Sequence, residues 1–275
     1  MTAKEALKAG DLQAALAQLT EETRSQPDDP KHRVFLFQLL AVRGEWDRSL
    51  TQLNVVRDLD ESARLMAQTY QECLRCEVLR REVFAGKRTP LVFGDPTPWL
   101  AQLIEAIRLD SQGETAAAAD LRGEAFEAAP AVPGTLSVAA GDGEQEHRFD
   151  WIADGDSRLG PVLEIIVNGR YYWAPAERVA EITFEPPADL RDVVWTPAHF
   201  RWANEGEAAG IIPTRYVDSE KHADDAVRLS RKTEWEEVAD GAYHGLGQRV
   251  LLTDAGDFAL MDLRRVTLSG ATDAG

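Results

Sequence analysis

The first 130 residues place apolar side chains at helical intervals. Leu12, Leu16 and Leu19 fall at i, i+4 and i+7, which is one face of an α-helix. Trp46, Leu50 and Leu53 repeat those intervals 34 positions later, and Gly10 maps onto Gly44 with the same offset. A period of 34 is the repeat length of the tetratricopeptide helix–turn–helix unit. Three glycines carry the same spacing: Gly10 leads to Ala15 and Pro27, Gly44 to Ser49, and Gly113 to Ala118 and Pro130. Each position has a physical task. The Gly stops one helix in a left-handed turn. The small residue lets helices approach closely. The Pro cannot continue a helix and resets the chain. The copy expected near Val78 is degenerate, and Gly86-Lys-Arg-Thr-Pro90 breaks the array. The expectation is a tetratricopeptide-like helical domain over residues 1–135. Such a stack buries a continuous core and offers a concave face, with Phe35, Leu36 and Leu39 near it here.

The pattern changes after Ala128-Ala-Pro-Ala-Val-Pro-Gly134 and Gly141-Asp-Gly143, a run of breakers that marks a domain edge. Val162 to Trp173 reads as two strands around Asn168-Gly169, the strongest short hairpin signal in the chain. Val250 to Met261 reads as a second hairpin, and Glu181–Phe184 and Val193–Trp195 as short strands. Residues 144–270 are therefore expected to form a β-rich mixed domain, a compact barrel or sheet with some helix. The fold class is α+β, helices first.

Charge sharpens the division. The chain has 275 residues with 30 Lys+Arg against 47 Asp+Glu, a formal net charge of −17. Residues 1–140 carry −5 of it and residues 141–275 carry −12, together with five of the seven tryptophans. An acidic surface repels phosphate backbones, so no nucleic-acid partner is expected. No apolar run approaches the ~20 residues of a membrane span, so no membrane partner is expected either. The start, Met1-Thr-Ala-Lys-Glu-Ala-Leu-Lys8, lacks the apolar core of a secretory signal, which points to a cytoplasmic protein. Cys73 and Cys76 share one helix face without further metal ligands nearby and read as small core residues.

Motifs that would carry chemistry fail their own tests. With Asp154 as first ligand of a calcium loop, the required Gly falls at Leu159 and the closing Glu at Ile165, so Asp154-Gly-Asp156 reads as a side-chain-stabilised turn with Arg158 paired to an acid. Gly245-Leu-Gly247 begins like a dinucleotide fingerprint, but Val250 replaces its third Gly and a strand follows, so it reads as a turn. His32, His147, His199, His222 and His244 are scattered, and no Ser lies in a nucleophile elbow. No cofactor is expected. A carboxylate-dependent hydrolase on Asp154, Asp156 and Glu164 is the enzymatic rival, and it requires a deep pocket.

Arg alternates with aromatic residues in Asp189-Leu-Arg-Asp192-Val-Val-Trp195, Pro213-Thr-Arg-Tyr216, Lys232-Thr-Glu-Trp235 and Gln248-Arg249. Protein interfaces favour those residues at their energetic centres. Internal ion pairs beneath an aromatic core use them equally.

Six stretches in one order carry a family resemblance. They are Phe149-x-Trp151-Ile-Ala-Asp-Gly-Asp-Ser-Arg158-Leu-Gly-Pro161, Gly169-x-Tyr171-Tyr-Trp173-x-Pro175, Asp189-Leu-Arg-Asp192 with Trp195-x-Pro197-Ala198, Pro213-Thr-Arg-Tyr216, Arg231-x-Thr233-Glu-Trp235, and Gly245-Leu-Gly-Gln-Arg249. With the helical first half they make the chain resemble the ImpE family, also called TagJ or SciE, of bacterial type VI secretion. The departure is Gly155 within the Asp-x-Asp turn. The resemblance implies a non-enzymatic accessory protein that binds the N-terminal amphipathic helix of the small sheath subunit, TssB, and is linked to the ATPase ClpV. A chaperone of a secreted effector, or a small-ligand binder, is the other non-enzymatic alternative. A groove for such a helix is expected in the second half, and the candidate contacts are Trp151, Arg158, Tyr172, Trp173, Arg191, Trp195, Trp202, Arg215, Tyr216, Trp235 and Arg249. Excess acid there implies basic residues on the partner helix and binding that weakens with salt.

Overall fold

In the computed structural model, which describes residues 2–141 and 143–269, the three repeat glycines all take left-handed backbone angles, with φ +83° at Gly10, +71° at Gly44 and +81° at Gly113. Each turns the chain between the two helices of a hairpin. The hairpins are α1 (Ala3–Ala9) with α2 (Leu12–Ser25), α3 (Pro30–Val42) with α4 (Trp46–Leu59), and, after α5 (Arg64–Phe84), α6 (Pro98–Ser111) with α7 (Thr115–Ala128). Ala15, Ser49 and Ala118 are fully buried, as close helix packing requires. The segment around Val78 is one helix of 21 residues. It packs against α4 on one side and reaches the sheet strand Arg170–Pro175 on another, and it is not followed by a hairpin partner of its own.

Strands begin even within the helical half. β1 (Leu91–Val92) pairs in parallel with β6 and forms one edge of the large sheet. The others follow as β2 (Gly134–Ala140), β3 (Gly143–Phe149), β4 (Ile152–Asp154), β5 (Val162–Val167), β6 (Arg170–Pro175), β7 (Val179–Phe184), β8 (Trp195–Trp202) and β9 (Glu207–Pro213). A short helix, α8 (Asp225–Arg228), precedes β10 (Thr233–Ala239), β11 (Ala242–Gly247), β12 (Val250–Thr253), β13 (Gly256–Ala259) and β14 (Leu263–Leu268). The nine-stranded sheet runs β1-β6-β5-β9-β8-β7-β14-β2-β3, with a separate β10-β11 hairpin and a β13-β12-β4 sheet. Asn168 and Gly169 both take positive φ, the two-residue turn expected between β5 and β6. The strand expected at Val193–Trp195 starts only at Trp195. Leu190–Val193 is a 3-10 turn closed by a capping box of Asp189 and Asp192. Gly245 and Gly247, expected in a turn, end strand β11. Gly245 packs against the Tyr216 ring, where any Cβ would collide. Asp142 and the expected boundary at residue 270 lie outside the described residues.

β5 explains how the halves join. Val162 and Ile166 point into an apolar cluster shared with Phe37, Tyr70, Trp99 and Leu103 of the helices. Leu163, Ile165 and Val167 point into a second cluster with Phe184, Phe200 and Leu251. Strand alternation thus covers both faces, and all six residues are buried. Because the first cluster draws on both halves, urea unfolding is expected as one cooperative transition, with far-ultraviolet dichroism and tryptophan fluorescence superimposing. Two separated transitions would show that the halves unfold independently.

Candidate functional site

The second half grips the ends of the helices. Arg215 donates to the carbonyl oxygens of Ala41 (3.0 Å) and Val42 (2.7 Å) at the end of α3. Arg231 donates to those of Leu7 (3.0 Å) and Lys8 (3.4 Å) at the end of α1. Asp225 accepts from the Leu12 N–H (3.0 Å) at the start of α2. Cations thus meet helix C-termini and an anion meets an N-terminus, which satisfies orphan backbone groups and complements the helix dipoles.

Below these contacts lies a buried ion network. Glu164, on the helix-facing side of β5, accepts two bonds from Arg80 of α5 (2.6 and 2.9 Å). Arg249 pairs with both Glu164 and Asp154 and donates from Nε to the Pro213 carbonyl oxygen (3.0 Å). The Tyr171 hydroxyl donates to Glu164 and accepts from Trp173 Nε1 (2.8 Å). Trp195 Nε1 donates to Glu77 (3.1 Å), which also pairs with Arg80.

The expected Asp turn forms above it. The Asp156 N–H donates to Asp154 (2.8 Å), and Asp156 accepts from the Arg158 and Gly245 N–H groups (2.9 and 3.0 Å) and from Arg158 Nε (2.8 Å). The side chains of Asp154, Asp156 and Glu164 have 0% exposure and are each paired with an arginine. Among the described residues, no group of three or more His, Cys, Asp or Glu stands ready to hold a metal ion. Cys73 and Cys76 are buried free thiols. Among the same residues, no helix is long and apolar enough to cross a membrane.

The candidate contacts divide by burial. Trp173, Trp195, Trp202, Arg215, Tyr216 and Arg249 are buried, serving the core, the ion network and the α3 cap. For these residues the Arg–aromatic alternation marks internal pairing, because buried carboxylates and helix ends claim the guanidinia. Arg158, Tyr172 and Arg191 are half-buried, with Arg158 over the Phe84 ring (4.8 Å) and Arg191 over the Tyr70 ring (4.8 Å). Trp151 and Trp235 are exposed. Leu36 and Leu39 are buried, while Phe35 lines an opening beside α1. Arg80 and Glu77 escape notice in the sequence because they resemble a solvated helix face. Their signal is register, since Cys73, Glu77 and Arg80 fall at i, i+4 and i+7 on one face.

An open apolar cleft lies in the second half. Phe126 of α7, Pro130, Trp151, Ile152, Pro161 and Leu252 line a volume of 390 Å³. Trp235 stands beside it, against Gly155. Phe126, Trp151 and Trp235 are each about two-fifths exposed (38%, 40% and 41%), which brings three large aromatic rings to one surface.

Replacing Glu164 tests the network. Glu164→Gln retains shape but leaves two buried guanidinia short of charge, with an expected loss of roughly 3–5 kcal/mol. Burial raises this carboxyl, but Arg80 and Arg249 outweigh it and hold it down to about 2 against an ordinary 4.5. Its contribution is therefore complete above pH 4.5 and is lost as pH falls towards 2. Asp154 has the opposite sign: burial pushes it from 3.8 up to about 6, so its effect favours the fold below 3.8 and fades as pH rises through 6. Urea titrations across the acid range should show a steep wild-type loss below pH 4.5 and a flatter limb for Glu164→Gln. Parallel limbs would remove Glu164 from this role.

Comparison with known proteins agrees with this architecture. A family model described as ImpE protein matches residues 146–267. The type VI secretion system accessory component TagJ of Pseudomonas aeruginosa is 50% identical over 274 residues, covering 100% of this chain and 93% of that protein. A crystal structure of a Vibrio parahaemolyticus protein shares the fold with a TM-score of 0.85 at 26% identity, covering 99% of this chain and 98% of the other. The stretches that stood out in the sequence all lie within the matched residues, and the chain belongs to the ImpE family.

Proposed function

We propose that this protein is a non-enzymatic accessory scaffold of a bacterial type VI secretion system. It holds the N-terminal amphipathic helix of the small sheath subunit TssB and through it works with the ATPase ClpV in sheath recycling, in the cytoplasm. Full-length similarity to an accessory component supports the system. The observation that carries the capture step is the cleft of Phe126 and Trp151 with Trp235 beside it. Amphipathic helices dock by inserting apolar anchors at i, i+3/i+4 and i+7 into such grooves. Exposed aromatic rings at the centre of a small site supply most of the affinity. Acids stand near in sequence to all three rings: Asp150 precedes Trp151, Glu236 and Glu237 follow Trp235, and Glu124 and Glu127 flank Phe126. Such surroundings favour a helix that carries Lys or Arg beside its anchors.

Calorimetry of the full chain with a peptide of the TssB N-terminus tests the reading. Trp151→Ala should weaken binding roughly tenfold, about 1.4 kcal/mol, and added salt should weaken it further. Unchanged affinity in both Trp151→Ala and Trp235→Ala would remove the cleft. No TssB binding, with capture of a secreted effector instead, would replace the partner.

A further inference from the structure

Three donor-bearing side chains stand together where α7 meets the β10–β11 hairpin. Arg122 comes from α7, Arg158 from the Asp turn and His244 from β11. Asp156 anchors two of them, since it accepts from Arg158 Nε (2.8 Å) and from the N–H of Gly245, the residue after His244 (3.0 Å). Arg122 lies close enough for its charge to act on His244 and to feel that of Arg158. Neither Arg122 nor His244 takes part in the Glu164 network or in the helix caps.

Both carry nitrogens that the fold leaves unmet. Arg122 is 2% exposed and pairs with Asp110 of α6 through Nη2, yet its Nε and Nη1 have no hydrogen-bond partner among the described residues. His244 Nε2 is likewise buried and unpartnered. A guanidinium has five N–H donors, and donors left unmet in the interior cost free energy that an acceptor would recover. The neighbouring acid does not supply one, because Asp156 already accepts from Arg158 and Gly245. His244 also reports the local sign. Burial and the Arg158 charge, with a smaller push from Arg122, hold its imidazole down to about 4 against an ordinary 6.5, although Asp156 opposes them. Two guanidinia beside a neutral imidazole are complementary to a negative guest.

We propose that Arg122, Arg158 and His244 bind a small oxyanion, a phosphate or a carboxylate, at the junction of α7 and β11. A planar guanidinium fork matches two oxygens of such a group, and an imidazole with its proton on Nε2 donates to another. Arg158 and His244 are partly exposed, which gives the oxyanion access from solvent. Because the donors come from three elements, the bound oxyanion ties α7 to the Asp turn and to the hairpin. The inference is independent of TssB capture, since none of the three side chains lines the aromatic cleft.

The probe is inorganic phosphate, titrated into the full chain at neutral pH, with sodium chloride of equal ionic strength as the control. The imidazole resonances of His244 are identified by their loss in His244→Gln. Phosphate should move them saturably and chloride should not, and Arg122→Gln should weaken the apparent affinity roughly tenfold. Phosphate should also raise the wild-type thermal midpoint above that in chloride. His244→Gln should lose most of this gain, which keeps the test valid if Arg122→Gln fails to fold. Acetate separates the two sources. A response to phosphate alone assigns a free phosphate-type anion, and a response to acetate as well assigns a site that a partner's Asp or Glu can fill. No movement of the His244 resonances, equal movement in chloride, or unchanged affinity in Arg122→Gln overturns the proposal. An equal thermal gain in wild type and His244→Gln overturns it too.

Discussion

The structure depends on one carboxylate held between two arginines. Glu164 sits on a strand buried on both faces, where an unpaired charge would be prohibitive. Arg80 reaches it from the helices and Arg249 from the start of β12. Arg80 also meets Glu77 and Arg249 also meets Asp154, but Glu164 is the acid that joins the two arginines, and neither half supplies the complete set. Buried ion pairs contribute little net stability beside apolar residues of the same shape, yet they penalise misplacement severely. Here that penalty acts on the way α5 lies across β5. A register error would take Arg80 away from the buried Glu164, so the network specifies docking geometry more than it adds stability.

Around this point the helix ends are joined one at a time. Repeat stacks need terminal caps, since each unit covers its apolar face with the next. The β-rich half performs this task, placing Trp195 against Tyr70 with ring centroids 5.6 Å apart and against Trp46 at 6.2 Å. Arg215, Arg231 and Asp225 then satisfy backbone groups that a free stack would leave to water. Much of the surface that such a stack offers to other proteins is consequently covered by its own chain. Openings remain near the N-terminal end of α3 and at the aromatic surface beyond α7.

Features governed by local backbone demands were legible in the sequence. A left-handed stop admits few residues other than Gly, so Gly10, Gly44 and Gly113 announced their turns, and Asn168-Gly169 announced its hairpin. Features governed by distant partners were not. An Arg next to a Trp reads the same whether it faces solvent or a carboxylate from another element, and Arg80 finds Glu164 only 84 positions away. β1 has two residues and no periodicity to detect. The aromatic cleft combines Phe126 and Trp151 with Trp235 nearby, and no single stretch of chain displays it.

The pairing of Leu91 with Tyr172 bears on biosynthesis. Synthesis proceeds from the N-terminus, and domains generally fold as units as they emerge. The helical hairpins use neighbouring segments and can form early. The strand at Leu91–Val92 has no sheet to join until the β5–β6 hairpin has been made about eighty residues later. Such non-local pairing is slow and leaves a partly formed chain with uncovered apolar surface. The first half must therefore emerge with its sheet-facing side bare, and completion of the fold is tied to synthesis well past the sequence's apparent domain seam.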